Sequence, residues 1–418
     1  ALDVRAYGDN VEKLFTVAPG ADPGRIAMRY EGAAGVSVTR EGELELATGL
    51  GPVRFTAPVA YQEGPAGRRT VPVSYAVRNG RVGFDVGAYD AAAPLVIDPL
   101  LASTFIGGSS ADAIRAVAVD GQSNVLVAGE TASADFPTTN SPAQASYAGG
   151  LGDAFVAKFD ASLSTLLAAT YLGGAGEDAA AALAVNPANG AVCVGGHTVS
   201  SDFPTRSAAY PIYRGNGDGF VAVLNGNLTA LSMSTFLGGW QADRVNALAL
   251  NAAGEIVVVG RTESADFPHG NPWGASFQAA LGGGADGFAT LFAGAGIAST
   301  FLGGSGDDEA LGVAVAGDGS ICVAGATASA NFPGVNGYQA SLSGSSDGVV
   351  AVLAGNLTAA SAVSYLGGSG ADAAQAVVEF FVQVTMRRPV SQPWLSSFSA
   401  AFHFWTAVML PEASSKPA

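Results

Sequence analysis

Charge is scarce in this sequence. Asp, Glu, Lys and Arg make up 13% of the 418 residues, so long charged helices are not expected. Cations are the scarcer sign: 19 Lys and Arg stand against 35 Asp and Glu, giving a net charge of −16 and a pI near 4.4. Such a surface repels phosphate backbones, and no nucleic acid partner is expected. Histidine is limited to His197, His269 and His403, too scattered for a His-rich metal site, and there is no Gly-x-Ser-x-Gly elbow, Walker loop or His-Glu-x-x-His. No enzyme signature is present.

Cysteine is nearly absent too, which leaves no disulfide framework. Cys193 and Cys322 hold matching places in two repeats where other repeats carry Leu126 and Val257, so two buried thiols are expected rather than a bridge. No apolar run approaches the roughly 20 residues that cross a bilayer as a helix, so no transmembrane segment is expected. The chain opens at Ala1 without a charged leader and apolar run, and reads as a mature or trimmed product.

What the sequence does have is apolar surface and glycine. Hydrophobic residues make up 49% and there are 57 Gly, which suits many short strands and tight turns around a sizeable core. The order behind them is a repeat. Phe105-Ile106-Gly107-Gly108 returns as Tyr171-Leu172-Gly173-Gly174, Phe236-Leu237-Gly238-Gly239, Phe301-Leu302-Gly303-Gly304 and Tyr365-Leu366-Gly367-Gly368, with steps of 66, 65, 65 and 64 between first glycines. A period that regular marks one supersecondary unit copied along the chain.

Each unit follows one script. In the first copy Ala116-Val117-Ala118-Val119, Val125-Leu126-Val127-Ala128-Gly129, Asp153-Ala154-Phe155-Val156-Ala157 and Ala168-Ala169-Thr170-Tyr171-Leu172 read as four strands, with Asp135-Phe136-Pro137 and a long loop between the second and third. Four short antiparallel strands per period predict a propeller blade. The expected fold is all-β: a β-propeller of four-stranded blades over residues 101–378, with four complete repeats and a partial fifth, preceded by a small β-sandwich-like domain over residues 1–100. In that domain Val36-Ser37-Val38-Thr39 and Glu43-Leu44-Glu45-Leu46 alternate with period two, and Asn79-Gly80 marks a hairpin. Pro94 and Pro99 around Leu95-Val96-Ile97-Asp98 argue for a connector there.

The script stops at Asp372 and Ala376-Val377-Val378. Residues 379–418 contain no glycine and crowd in Phe380, Phe381, Trp394, Phe398, Phe402, Phe404 and Trp405. This tail either completes the last blade, is out-of-register sequence, or docks a partner. Propellers close by finishing the last blade with a strand from the other end, and Ala102-Ser103-Thr104-Phe105 is the natural candidate; a five-bladed composite ring is preferred over a fragment of a longer propeller.

Thr104-Phe105-Ile106-Gly107-Gly108, the Val-Ala-Gly-x-Thr-x-Ser-x-Asp-Phe-Pro run and the Gly-x-Asp-x-Phe-Val-Ala strand resemble the bacterial SBBP β-propeller repeat family over residues 101–378. Residues 1–100, with Val17-Ala18-Pro19-Gly20-Ala21-Asp22-Pro23 and Leu95-Val96-Ile97-Asp98-Pro99, resemble the β domain that commonly precedes such repeats. The resemblance implies an exported bacterial protein of the cell surface or envelope and supplies no catalytic residues.

Three acid series recur. Asp112, Asp178, Asp243, Asp308 and Asp372 follow each first glycine by five residues, and five equivalent copies suit turn bracing. Calcium is the rival at Asp307, Asp308 and Glu309, although that ion needs 6–8 oxygens; no other cofactor is expected. Asp153, Asp218, Asp286 and Asp347 precede the third strands, while Asp135, Asp202, Asp266 and Asn331 precede Phe-Pro. The position after Val-Ala-Gly varies through Glu130, His197, Arg261 and Ala326, and the first three are ligand-patch candidates. The function expected is a non-catalytic exported scaffold or adhesion protein that presents propeller loops to a protein or polysaccharide at the cell surface. Self-association into a surface or fibre assembly and a carbohydrate-binding or carbohydrate-active propeller are the alternatives.

Overall fold

The computed structural model describes the chain from Leu2 to Val377, apart from residues 8–9, 31–32, 41, 49–50, 56, 65–66, 79, 99–103, 140, 162, 295 and 335–336. It divides into two units at Phe105/Ile106. In the first, Leu2–Tyr7, Asn10–Val17, Leu95–Asp98, Val59–Gly64 and Gly67–Val71 form a five-stranded sheet in that order, Gly35–Val38, Leu44–Thr48 and Gly51–Phe55 form a second, and Val73–Arg78 with Arg81–Val86 forms a hairpin. The hairpin closes through Arg78↔Arg81 with Gly80 at φ 72°, the left-handed backbone its two-residue turn requires. Phe15, Leu44, Tyr75, Phe84, Leu95 and Ile97 share one core.

Leu95–Asp98 corrects the expected connector. It is a central strand paired on both sides, with Val17, Thr16 and Phe15 and with Tyr61, Ala60 and Val59. The prolines flank the strand and remove no ladder donor from within it.

The second unit contains four four-stranded antiparallel sheets, each in sequence order. The blades are Asp112–Val119, Val125–Thr131, Asp153–Phe159, Leu166–Leu172; then Asp178–Val185, Val192–Thr198, Asp218–Leu224, Leu231–Leu237; then Asp243–Leu250, Ile256–Thr262, Asp286–Ala293, Gly296–Leu302; and Asp308–Val315, Ile321–Thr327, Asp347–Leu353, Ala360–Leu366. First strands of successive blades are neighbours, so the blades stack face to face with apolar layers between them. Leu126, Val156 and Leu172 meet Val194 and Phe220. Cys193, Val221 and Leu237 meet Val258 and Phe288. Val257 and Leu302 meet Val323 and Tyr365. Each large side chain so buried contributes about 1.5–3 kcal/mol. Neither cysteine is in a disulfide; Cys193 is buried, whereas Cys322 is only partly so, a departure from the expected pair of core thiols.

Every first strand bulges at the same place, between Ile114/Ala116, Ala180/Ala182, Val245/Ala247 and Ala310/Gly312. The last glycine of this second-strand motif, Gly129, Gly196, Gly260 or Gly325, faces the bulge: a Cβ on Gly196 would lie 2.0 Å from the Ala179 carbonyl. That glycine is a steric requirement.

The expected composite closure is not made by Thr104 and Phe105, which lie outside any strand, with Phe105 99% exposed. Ala102, Ser103 and the tail 379–418 lie outside the described residues. After the fourth blade, Asp372 donates its N–H to Ser346 O at 2.8 Å and Ala374 to Gly325 O at 3.0 Å. Asp178, Asp243 and Asp308 enter their blades through the same contact, to Gly152 O, Gly217 O and Ala285 O. The segment therefore begins a fifth unit in the usual way without forming a strand within the described residues.

Candidate functional site

Strand direction brings four features of every repeat to one end of its blade: the Gly-Gly turn entering the first strand, the end of the second strand, Asp-Phe-Pro, and the long loop into the third. The acids there are committed to the backbone. Asp112, Asp178, Asp243, Asp308 and Asp372 accept from the N–H groups of Gly108, Gly174, Gly239, Gly304 and Gly368 at 2.7–2.8 Å. Asp153, Asp218, Asp286 and Asp347 accept from the long-loop N–H groups of Ala148, Arg214, Gly282 and Ser343. Asp135, Asp202, Asp266 and Asn331 accept through Oδ1 from Ser109, Ala175, Trp240 and Ser305 at 2.8–3.0 Å. The Asp-Phe-Pro rings pack beneath: Phe136, Phe203, Phe267 and Phe332 are all buried.

Two of these series meet at each blade boundary. A Cβ on Gly173 would stand 2.9 Å from Asp153 Oδ1 and 2.8 Å from Asp178 Oδ2, and Gly238 and Gly303 are flanked in the same way. Burial pushes Asp153 and Asp218 up to about 7 and Asp243 and Asp286 to about 6. The facing acid adds to the rise at Asp153, Asp218 and Asp286.

The three calcium candidates point to different partners. Asp308 is buried on Gly304 and Ser329, Glu309 binds Arg244 at 2.7 Å and Asn246, and Asp307 lies 3.9 Å from Arg261. Among the described residues no three His, Cys, Asp or Glu side chains converge as a metal site.

The variable position lies at the same loop end, with its side chains already engaged. Glu130 takes Arg115 at 2.6 Å, His197 stands 3.9 Å from Glu177, and Arg261 reaches Glu263 at 3.2 Å. A cavity of about 220 Å³ between the first two blades is lined by Glu130 and Glu177, and by neither His197 nor Arg261. The patch is a row along successive blades rather than one pocket.

One recurring contact was not read from the sequence. Gln144, Gln278 and Gln339 accept through Oε1 from Gly173, Gly303 and Gly367 N–H at 3.0–3.1 Å, and donate from Nε2 to Asp153, Asp286 and Asp347. In the second blade this backbone place is Tyr210, fixed as the glutamines are by its N–H to Thr235 Oγ1 and its carbonyl to Phe236 N–H. The amide between Gly238 and Asp218 is therefore missing. A cleft of about 440 Å³ lies there, lined by Tyr210, Ile212, Arg214, Gly238, Asp266 and His269 among others. The second blade also differs at Trp240, 67% exposed and bonded through its backbone N–H to Asp266, where the other repeats carry Ser109, Ala175, Ser305 and Ser369. Comparing repeats at that position would have flagged the tryptophan.

Comparison with known proteins divides the chain as its structure does. Residues 1–100 match a domain of unknown function (DUF7948), and residues 103–137 match the SBBP beta-propeller repeat. No curated protein matches the chain. The chain thus carries a match to the SBBP beta-propeller repeat directly behind a match to DUF7948.

Proposed function

We propose that this chain is a non-catalytic, exported scaffold whose blades present loop-end side chains for contact with a protein or polysaccharide at a bacterial cell surface or envelope. The observation that carries the reading is the contrast within each loop end. The recurring acids are bonded into turns, while Glu130, His197, Arg261 and Ala326 occupy one equivalent place with four chemistries. A rigid frame with varying side chains suits recognition better than turnover. The test is saturable binding of labelled protein to intact cells of the organism that makes it, weakened when Glu130, His197 and Arg261 are all changed to Ala. Equal binding by that variant, or turnover of chromogenic glycosides, esters or peptides, overturns the reading.

Self-association is a second reading, favoured by one observation. Ile114, Val117 and Val119 on the first blade are 52%, 65% and 61% exposed, whereas the equivalents of Ile114 in the later blades, Ala180, Val245 and Ala310, are buried, and those of Val117 and Val119 are buried or partly buried. Exposed apolar strand faces of this kind mark contact surfaces. Light scattering that shows a monomer across concentration, unchanged by Val117→Asp, removes it.

A further inference from the structure

Two blades carry the same turn between their third and fourth strands, Gly226-Asn227-Leu228-Thr229 and Gly355-Asn356-Leu357-Thr358. In each the leucine is buried with a positive φ, and its carbonyl accepts from the long loop of the preceding blade, from Ala143 N–H and from Phe277 N–H, both at 2.9 Å. The turns therefore receive equivalent loops at equivalent places. What differs is the loop. Ten positions separate Pro268 from Gln278, and seven separate Pro137 from Gln144. The longer loop lies against its turn: Asn271 Nδ2 donates to Asn356 O at 2.6 Å, Asn271 Oδ1 accepts from Trp273 N–H at 2.9 Å, and a Cβ on Gly274 would lie 3.4 Å from Thr358 Cγ2. Pro272 covers the start of the fourth strand, where a Cβ on Gly296 would meet it at 2.9 Å.

At the counterpart place between the first two blades there is a cleft of about 760 Å³, lined by Asn227 and Thr229 of the turn, Leu166 and Leu167 of the fourth strand, and Thr139 and Lys158 among others. Thr229 is exposed and Leu167 is 45% exposed, whereas their equivalents Thr358 and Ile297 are half-buried. No described group donates to the Asn227 carbonyl, the equivalent of the one that takes Asn271. The Lys158 ammonium is already held by Asp120 at 2.7 Å and by the Gly226 carbonyl at 3.2 Å. The cleft thus offers a carbonyl, hydroxyls and aliphatic surface without a free charge.

We infer that this cleft receives a loop of a partner protein with the chemistry of Asn271–Trp273: a side-chain amide that donates to the Asn227 carbonyl, then a small residue, then an aromatic ring. The chain's own third-blade loop, seated on the equivalent turn, is the pattern for that contact. A carboxylate has no proton to donate to a carbonyl, and a basic side chain would meet the Lys158 ammonium, so a neutral amide fits best. The residue after it is small because Leu166 stands where Gly296 makes room for Pro272. The ring suits exposed Leu167, since an aromatic side chain supplies a large rigid surface at low conformational cost. This rests on the contact-scaffold reading and adds a second contact, at the end of the blades opposite Glu130, His197 and Arg261.

The test titrates the full chain into a capped Gly-Asn-Gly-Trp-Gly peptide whose tryptophan carries fluorine, and reads binding as broadening of the fluorine NMR line. Two variants, Leu167→Asp and Thr229→Arg, alter exposed side chains of the cleft, and thermal unfolding verifies that each keeps the fold. The expected result is saturable broadening by the parent chain, weakened about tenfold or more in both variants, by leucine in place of the peptide's asparagine, and by proline in place of the glycine that follows it. No broadening, equal broadening by parent and folded variants, or indifference to the peptide's asparagine overturns the inference. So does a dextran that binds the parent and not the variants while the peptide binds neither. The triple alanine variant of Glu130, His197 and Arg261 is expected to bind the peptide as the parent does; loss there with the fold kept would move the contact to the loop end and overturn the cleft. Weakened cell binding by that triple variant without any peptide binding would leave the scaffold reading standing alone.

Discussion

Gln144 accepts the backbone N–H of Gly173 at 3.0 Å and, through its amide nitrogen, holds Asp153. One side chain thus fastens the long loop to the turn that enters the next blade. Each such bond is worth about 0.5–1.5 kcal/mol, and more to a charged group. Gln278→Ala is expected to cost about 2 kcal/mol in denaturant unfolding, whereas Tyr210→Gln is expected to stabilise the second blade by about 1 kcal/mol. A destabilised Tyr210→Gln would show that the phenol packs better than the amide bonds.

Stability is expected to be greatest in mild acid. Asp153, Asp218, Asp243 and Asp286 titrate higher folded than unfolded, because burial disfavours their charge. Their contribution is fully present below the ordinary carboxyl range near pH 3.8 and is lost as pH rises through about 6 to 7. Asp120 acts in the opposite direction. Burial pushes it up, but bonds from Lys158, Asn124 and Gln122 prevail and hold it at about 2, so its contribution is lost as pH falls from the ordinary range toward 2. Denaturant unfolding at pH 5 and pH 8 should differ by a few kcal/mol in favour of pH 5, each pKa unit being worth about 1.4 kcal/mol and facing acids sharing their cost. A flat profile would show that these acids titrate no higher in the folded chain than in the unfolded one.

The glycine that faces the first-strand bulge is expected to be irreplaceable. Gly196→Ala drives a methyl into the Ala179 carbonyl opposite the bulge and should cost about 3 kcal/mol or more. Gly121→Ala, where nothing lies within 4 Å, should change stability by less than about 0.5 kcal/mol.

Asp266→Asn should fold as well as the parent, because Asn331 fills the equivalent place and accepts from Ser305 N–H through the same oxygen. Asp266→Ala removes the acceptor and should cost about 1 kcal/mol. The nearby Arg214 is 47% exposed and 3.5 Å away, too screened to alter that ranking. Urea unfolding of the two variants distinguishes the roles of bond and charge.

Lys158 and Asp120 form an ion pair at 2.7 Å with side chains only 13% and 5% exposed, and the ammonium also donates to Gly226 O of the next blade. Lys158→Met leaves the buried acid without its counter-charge, held only by Asn124 and Gln122, at an expected cost of about 3 kcal/mol. Lowering the pH toward 4 should recover part of it by protonating Asp120.

Much of the fold was legible because repetition multiplies weak signals. A single Val-Ala-Gly is ambiguous, but four Val-x-Gly copies (Ala, Gly, Val and Ala at x) at fixed distance from Gly-Gly and Asp/Asn-Phe-Pro locate four strands. The acids were legible as turn residues because Asn331 stands among aspartates, and only a hydrogen-bond role tolerates that exchange. Leu95–Asp98 was misread because flanking prolines look the same in a sequence as prolines that interrupt a strand. The cleft was missed for the opposite reason to the blades. Tyr210, which lines it, is defined by failing to match the glutamines of the other blades, and the cleft forms only when the long loop folds back beside the next turn.

The handover contact, from Asp178 N–H to Gly152 O and again from Asp372 N–H to Ser346 O, gives the fold a direction of growth. Every repeat is received by a carbonyl that the previous repeat has already positioned, so a nascent chain can dock each new blade as it emerges. Duplication of a segment 64 to 66 residues long would insert a blade with both its neighbours' fittings intact, which makes blade number an easily altered trait of such proteins.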